Sequence, residues 1–268
     1  MQRVRRAQRV QRALEAGRRI VLIGEVAMPE VSIVIPCRNE ARRLPATLTA
    51  LSACLDGLGR EAEVVVVVEK GSDGTDAIAR RHASGDARFR AVCNDVARGK
   101  GYAVKTGMLA AEGEIVFFMD ADLSVPLRSV GEFLDVFDAG ADVVFGSRQH
   151  PESVIVHSQP WRRVLAGRVF NFALRVLGAT RFKDTQCGFK AFRRHAAREV
   201  FSRLEGTGFG FDVEALAWAE VLGFRVVERP VEWSDAPGSK VRALRDGTAA
   251  FFEALRGARR ARAAKRRS

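Results

Sequence analysis

The segment EVVVVVE, residues 63–69, constrains the fold more than any other feature of the chain. A strand with one wet face alternates apolar and polar residues, whereas a strand covered on both faces reads as an unbroken apolar run. Five consecutive valines therefore predict a strand inside a sheet that carries helices on both sides. Further strands are expected at VSIVIP (31–36), near 89–93, at EIVFFM (114–119) and at ADVVFG (141–146). Helical patterns lie between them at 43–55, 74–84, 101–112 and 127–140; Leu44, Leu48, Leu51 and Leu55 mark the apolar face of the first. Alternation of this kind predicts an α/β fold, a mostly parallel, Rossmann-like nucleotide-binding sheet flanked by helices with right-handed crossovers.

After residue 150 the pattern changes. Residues 157–178 are amphipathic and basic, with Trp161, Leu165, Phe172 and Val176 at helical offsets. The polar stretch KDTQCGFKAF (183–192) follows, then a helix at 194–203, and then the glycine-rich segment 205–214, which leads a helix to about 222. One strand over 224–233 and a last helix from about 241 to 257 complete the pattern. No linker separates the halves. We read residues 28–255 as a single domain, with residues 151–255 appended to residues 28–150.

The net charge of +12 belongs to the ends. Residues 1–27 hold seven arginines against two glutamates, and residues 256–268 hold six arginines and a lysine with no acid; these account for the whole excess. Both segments read as basic extensions, suited to anionic lipid or nucleic acid, or simply solvated. Met28 directly precedes the first strand and is a candidate functional start. The four cysteines have no metal-ligand spacing and read as free thiols of a reducing compartment. No apolar run reaches the ~18–20 residues that span a bilayer.

Polar groups gather after each strand: Arg38, Asn39 and Glu40 after the first, Glu69 and Lys70 after the second, Asp120 and Asp122 after the fourth, Ser147 and Arg148 after the fifth. Open α/β sheets bind ligands at the carboxyl ends of their strands. Asp120 and Asp122 suit one divalent cation such as Mg²⁺, which keeps several waters and binds a diphosphate. Such an ion stabilises charge on a departing diphosphate.

The ordered segments SIVIPCRNE, EKGSDGT, RGKGYAV, FFMDADLSVP, FGSR, DTQCGFKAF, GFDVE and EWSDAPGSK resemble family-2 glycosyltransferases, and among them the enzymes that glucosylate dolichyl phosphate and bacterial polyprenyl phosphates. The resemblance covers about residues 31–255. It implies a glycosyltransferase-A fold, a UDP-sugar donor, Mg²⁺ or Mn²⁺, and transfer of a hexose, glucose first, to a lipid phosphate. Matched to the family's motifs, Pro36, Arg38, Asn39 and Glu40 form the first nucleotide loop. Asp120, Ala121 and Asp122 form the metal and diphosphate motif, with Ser124 as a further ligand, and Lys100 lies near the diphosphate. Where the family commonly has two aspartates, this chain has Glu69-Lys70. Glu69 retains the capacity to accept a hydrogen bond from a base; Lys70 does not. The GSDGT turn also offers Asp73 and Thr75 as caps of the next helix.

Arg148 and Arg163 match arginines of the lipid-phosphate relatives and are expected to grip the acceptor phosphate, with Lys240 closing over it. Gln186 and Glu214 are expected to orient acceptor or sugar. Asp212 is expected to orient sugar hydroxyls; a general base and a helix N-cap are the alternatives. A phosphate monoester, with its second pKa near ~6, is already a nucleophile at neutral pH, so in-line displacement with inversion needs no base. The basic helix at 157–178 suits a membrane surface, or else packs on the core with its arginines solvated. These expectations describe a peripheral enzyme on the cytoplasmic face of the plasma membrane. A transferase with a soluble or polysaccharide acceptor, and a non-catalytic membrane or nucleic-acid-binding protein, are the competing readings; no nucleic-acid partner is expected.

Overall fold

The computed structural model describes residues 28–236 and 243–266, the side chains of 243–246 excepted. The basic segment 1–27, the proposed start at its border, and Lys240 with the rest of its GSK motif lie outside the described residues, apart from Met28 itself.

Among the described residues seven strands make one sheet. In chain order they are β1 (Val31–Cys37), β2 (Ala62–Glu69), β3 (Phe89–Asn94), β4 (Ile115–Met119), β5 (Val143–Ser147), β7 (Phe189–Arg193) and β8 (Val226–Pro230). Their spatial order is β3-β2-β1-β4-β7-β5-β8. A separate ribbon pairs β6 (Val154–His157) with β9 (Glu232–Ser234) in parallel. The helices are α1 (Leu44–Gly57), α2 (Thr75–Gly85), α3 (Lys100–Ala110), α4 (Ser129–Asp138), α5 (Trp161–Val176), α6 (Arg194–Arg203), α7 (Phe211–Val221) and α8 (Ala243–Lys265). No helix among the described residues is long and apolar enough to cross a membrane.

The valine run behaves as its composition dictates. β2 sits between β1 and β3, with Val64–Val68 buried. Alternate valines feed opposite cores: Val65 and Val67 join Val104 and Met108 of α3, while Val64, Val66 and Val68 join Leu48 and Leu51 of α1. Full burial of each such side chain contributes roughly 1.5–3 kcal/mol, so both layers are strongly held.

Three expectations are corrected. The stretch 183–192 is not merely polar, because its last part is β7, antiparallel to both β4 and β5. Phe189, Ala191 and Phe192 supply apolar faces there, and the charge of Lys190 is met inside the protein. The second half is therefore interleaved with the first rather than appended. The strand expected over 224–233 divides: β8 stays in the main sheet, and after Pro230 the chain leaves to form β9 beside β6, which was not expected. The last helix does not stop near 257. Ala258 and Ala261 are buried against the core, so the supposed basic tail through Lys265 is packed helix with its arginines turned outward or paired. The helix expected over 157–178 is α5, which begins at Trp161, and of its two readings full core packing is not what the structure has. It buries Asn171 and Leu174 and exposes Trp161, Leu165, Val169, Phe172 and Val176.

Candidate active site

β4 ends at Met119 and the chain turns immediately, with Leu123 in the left-handed region at φ 52. Three neighbours fix this turn. The Thr47 hydroxyl donates to the Ala121 carbonyl at 2.6 Å, the Asp120 N–H to the Gly188 carbonyl at 3.1 Å, and the Ser234 N–H to the Ser124 carbonyl at 2.9 Å. Asp122 Oδ1 accepts both the N–H and the hydroxyl of Ser124, at 3.0 and 2.8 Å. Ser124 thus acts first as the group that orients Asp122. The carboxylates stand on a rigid base at the rim where the parallel strands end.

Lys100, opening α3, brings Nζ to 2.6 Å from Asp120 Oδ1. Burial alone would lower its proton affinity, but Asp120, Asp212 and Asp122 more than offset that and hold the ammonium above the usual lysine range. Two amides of the first turn of α3 are already engaged. Gly101 N–H and Tyr102 N–H donate to the carbonyls of Gly208 and Thr207, at 3.1 and 3.2 Å. Gly99, at φ 118, lets the two loops touch, since a Cβ there would overlap the Thr207 carbonyl oxygen. The side chain of Lys100 lines the cavity and presents its charge to an incoming anion.

Two hard carboxylates with no third His, Cys, Asp or Glu clustered beside them among the described residues fit Mg²⁺ or Mn²⁺, which completes its shell with water and substrate phosphate. They do not fit a closed zinc site, which takes four protein ligands. The ammonium resting on Asp120 marks the same position as one that draws a cation.

A cavity of about 300 Å³ opens beside this pair. Lys100, Asp120, Asp122 and Ser124 line it together with Arg148, Arg163, Gln186 and Asp212. Gly188 lies against the cavity because Asp120 occupies the space a Cβ would need. Replacing Gly188 by Ala should push the Asp120 carboxylate aside and lower turnover roughly 10²-fold, the scale of a 1 Å misplacement of a reacting group. Calorimetry with Mn²⁺ and nucleotide should show weakened binding while the fold, read by circular dichroism, persists.

Comparison with known proteins decides the family. The Glycosyl transferase family 2 model matches residues 32–201. The chain is a family-2 glycosyltransferase. It is 32% identical over 231 residues to the dolichyl-phosphate beta-glucosyltransferase of Drosophila melanogaster, covering 79% of this chain and 69% of that protein. The human enzyme of the same name is 30% identical over 225 residues, covering 79% and 69%. Glycosyltransferase AglD of Haloferax volcanii is 35% identical over 220 residues; the match spans 81% of this chain but only 35% of that protein. Glucosyl-3-phosphoglycerate synthase of Mycobacterium tuberculosis, solved with Mn²⁺, UDP-glucose and phosphoglyceric acid, superposes with a TM-score of 0.64 at 20% identity, covering 85% of this chain and 80% of that one. That likeness carries the fold, and the fold is the glycosyltransferase-A fold.

Several residues of this glycosyltransferase are placed differently from expectation. Glu69 is almost fully buried, and its oxygens accept the N–H groups of Arg98 and Gly99 at 2.9 to 3.1 Å. It braces the Lys100 loop and is not presented to a base. Glu214 does not reach the cavity. It is fully buried and accepts from Gly206 N–H at 2.8 Å and Arg260 at 2.8 Å, tying the glycine-rich loop to α8. Ala121 is buried in the core, and its carbonyl accepts from Thr47. Pro36 belongs to β1, and the loop of Arg38, Asn39 and Glu40 is clasped to the GSDGT turn: Asn39 Oδ1 accepts Ser72 N–H at 2.9 Å, and Asp73 accepts Ala41 N–H at 2.9 Å. Asp73 also accepts Thr75 N–H at 3.1 Å at the start of α2. Asp212 is no N-cap: it sits in the first turn of α7 with Oδ1 2.5 Å from Lys190 Nζ. Burial raises its pKa above the usual carboxylate value, against the pull of Lys190 and Lys100.

Arg148 keeps its place at the cavity, but Nε and Nη2 are committed to Asp184 at 2.7 and 2.8 Å. Burial pushes the Asp184 carboxyl up, and Arg148 more than reverses it, so Asp184 titrates below the usual range. Cys187, also free and buried, has its thiol pushed up to about 12 and is inert at neutral pH. Asp184 and Lys190 carried no assignment in the sequence reading, although both lie in DTQCGFK. The signal was there: opposite charges inside a segment that ends in apolar alternation imply buried partners.

Proposed function

We propose that this enzyme transfers glucose from UDP-glucose to a polyprenyl phosphate, with inversion, on the cytoplasmic face of a membrane. The observation that carries the reading is that one cavity is lined by a carboxylate pair with its lysine and also by two arginines and Asp212. Relatives named for dolichyl-phosphate glucosylation support the acceptor class. The neighbour solved with Mn²⁺ and UDP-glucose supports the donor and metal.

Asp120 and Asp122 would hold Mg²⁺ or Mn²⁺, which when bound supplies Lewis-acid stabilisation of the departing diphosphate. Lys100 adds a fixed ammonium on the same side. Arg163, reaching the cavity from α5, is the acceptor-phosphate residue, and Arg148 offers the nitrogen that Asp184 leaves. Asp212 accepts from sugar hydroxyls, with Gln186 anchored beside it by a bond to the Phe209 carbonyl at 3.3 Å. The acceptor dianion arrives deprotonated, so the protein's task is to hold two anions in line; orientation of this kind can be worth ~7–11 kcal/mol. The base is read by groups other than Glu69.

A donor screen with a short polyprenyl phosphate tests this. UDP-glucose should be discharged to UDP and a lipid-linked β-glucoside, and a chelator should stop the reaction. Transfer to phosphoglycerate or a free sugar in preference to the lipid phosphate would overturn the acceptor, and chelator-resistant turnover would overturn the metal.

A further inference from the structure

α5 is joined by a second element that turns apolar side chains outward. Val154, Ile155 and Val156 of β6 are 56%, 40% and 51% exposed. Successive side chains of a strand point to opposite faces, so three in a row leave neither face of the ribbon covered. Parallel strands are ordinarily buried on both faces, yet β6 pairs only with β9, in parallel, in a two-stranded ribbon. Such a ribbon is marginal in water. A strand that is apolar and bare on both sides is suited to an apolar medium.

The ribbon runs directly into α5. Only Ser158, Gln159 and Pro160 separate His157 from Trp161. Along α5, Trp161, Leu165, Val169, Phe172 and Val176 are each more than half exposed. Gln159 and Arg163, at the junction of the two elements, line the cavity. The cavity therefore opens where the two bare apolar surfaces meet. Arg162, Arg168 and Arg175 are exposed on the same helix, and no acid occurs from Ser153 through Thr180.

We propose that β6 and the outward face of α5 form one insertion surface for an anionic leaflet, the ribbon entering the acyl boundary and the exposed arginines meeting headgroup phosphates. An apolar face flanked by arginines and led by tryptophan is the composition of an interfacial element, and each basic residue near an anionic surface adds about 1 kcal/mol. A second copy is a poorer occupant. A two-fold contact sets the same patch against itself, and here it would oppose arginines with no acid in the segment to answer them. The orientation gives the cavity mouth direct access to a membrane-borne phosphate; that purpose rests on the proposed acceptor, while the surface itself is tested without it.

Flotation of the full chain with neutral vesicles and with vesicles containing phosphatidylglycerol is the first measurement. The wild type should bind the anionic vesicles. The triple variant V154S/I155S/V156S, which alters only exposed side chains, should lose about tenfold in affinity, while its melting temperature and its turnover of a short, water-soluble acceptor stay unchanged. The second measurement needs no destabilising change. Trp161 is the exposed tryptophan, Trp218 and Trp233 being buried, so brominated acyl chains should quench wild-type fluorescence and W161F should remove the effect. In the W161F background, Ile155→Trp should restore quenching. Equal binding by wild type and triple variant, absence of quenching at position 155, or a wild-type dimer that the triple substitution dissociates would each overturn the proposal. Vesicle binding with no transfer to lipid phosphate would leave this surface standing and sink the proposed acceptor instead.

Discussion

Asp120→Asn should lower glycosyl transfer by at least about 10³-fold, the loss expected when several kcal/mol of charge stabilisation leave the reacting centre. The substitution keeps size and shape, so it isolates charge. The turn beneath it does not depend on the carboxylate, since bonds of its own backbone to the Gly188 carbonyl, the Thr47 hydroxyl and the Ser234 N–H hold it. Folding should therefore survive, with a melting temperature within a few degrees of wild type. Asp122→Asn should reach a similar loss by the same route, because its amide oxygen still accepts from Ser124 and only the charge is gone. The two variants should differ at Lys100. With Asn at position 120 the ammonium keeps an acceptor oxygen but loses the charge it pairs with, whereas with Asn at position 122 it keeps its charged partner at 2.6 Å. Mn²⁺ titrations of nucleotide binding should be weakened in both. Turnover of either variant within tenfold of wild type would remove the carboxylate pair from the chemistry.

The sheet was legible because burial on both faces leaves a continuous apolar run, and β2 is such a run. The carboxylate pair was legible for the complementary reason: charge directly after a buried strand has to face solvent or a ligand. β7 was not, because its buried lysine and the polar residues ahead of it mask the alternation of Phe189, Ala191 and Arg193 against Lys190 and Phe192. A lysine reads as exposed until its partner is known, and Asp212 lies 22 residues further on. The same blindness misassigned Glu69 and Glu214. One ends a strand and the other opens a helix, but each satisfies backbone amides of a neighbouring loop, which only the fold brings within reach. The end of α8 was hidden by its arginines: Ala254, Ala258 and Ala261 form a narrow buried stripe, and composition shows only the charge around it.

Lys190→Met should be the most destabilising single change at the site. The lysine is completely buried in β7, with Nζ 2.5 Å from Asp212 Oδ1 and 2.6 Å from the Cys187 carbonyl. Methionine fits the space but strands Asp212, and an unpaired buried charge costs about 3–5 kcal/mol. In a chain of this size that lowers the melting temperature by roughly 10 °C. The deficit should depend on pH with a definite sign. Without its ammonium, Asp212 binds a proton more tightly folded than unfolded, where carboxyls titrate near ~3.9. That preference supports the fold in acid and is lost as pH rises through the folded-state pKa, so the variant should fall furthest behind wild type at neutral pH and above. The double variant Lys190→Met/Asp212→Leu separates structure from chemistry. Two well-packed apolar groups in place of a buried pair are often neutral or better, so stability should return. Transfer should not, if Asp212 receives the sugar as proposed, because the cavity has then lost that oxygen. A double variant that is both stable and active would show that the pair serves only the core, and Asp212 would then leave the list of groups that touch substrate.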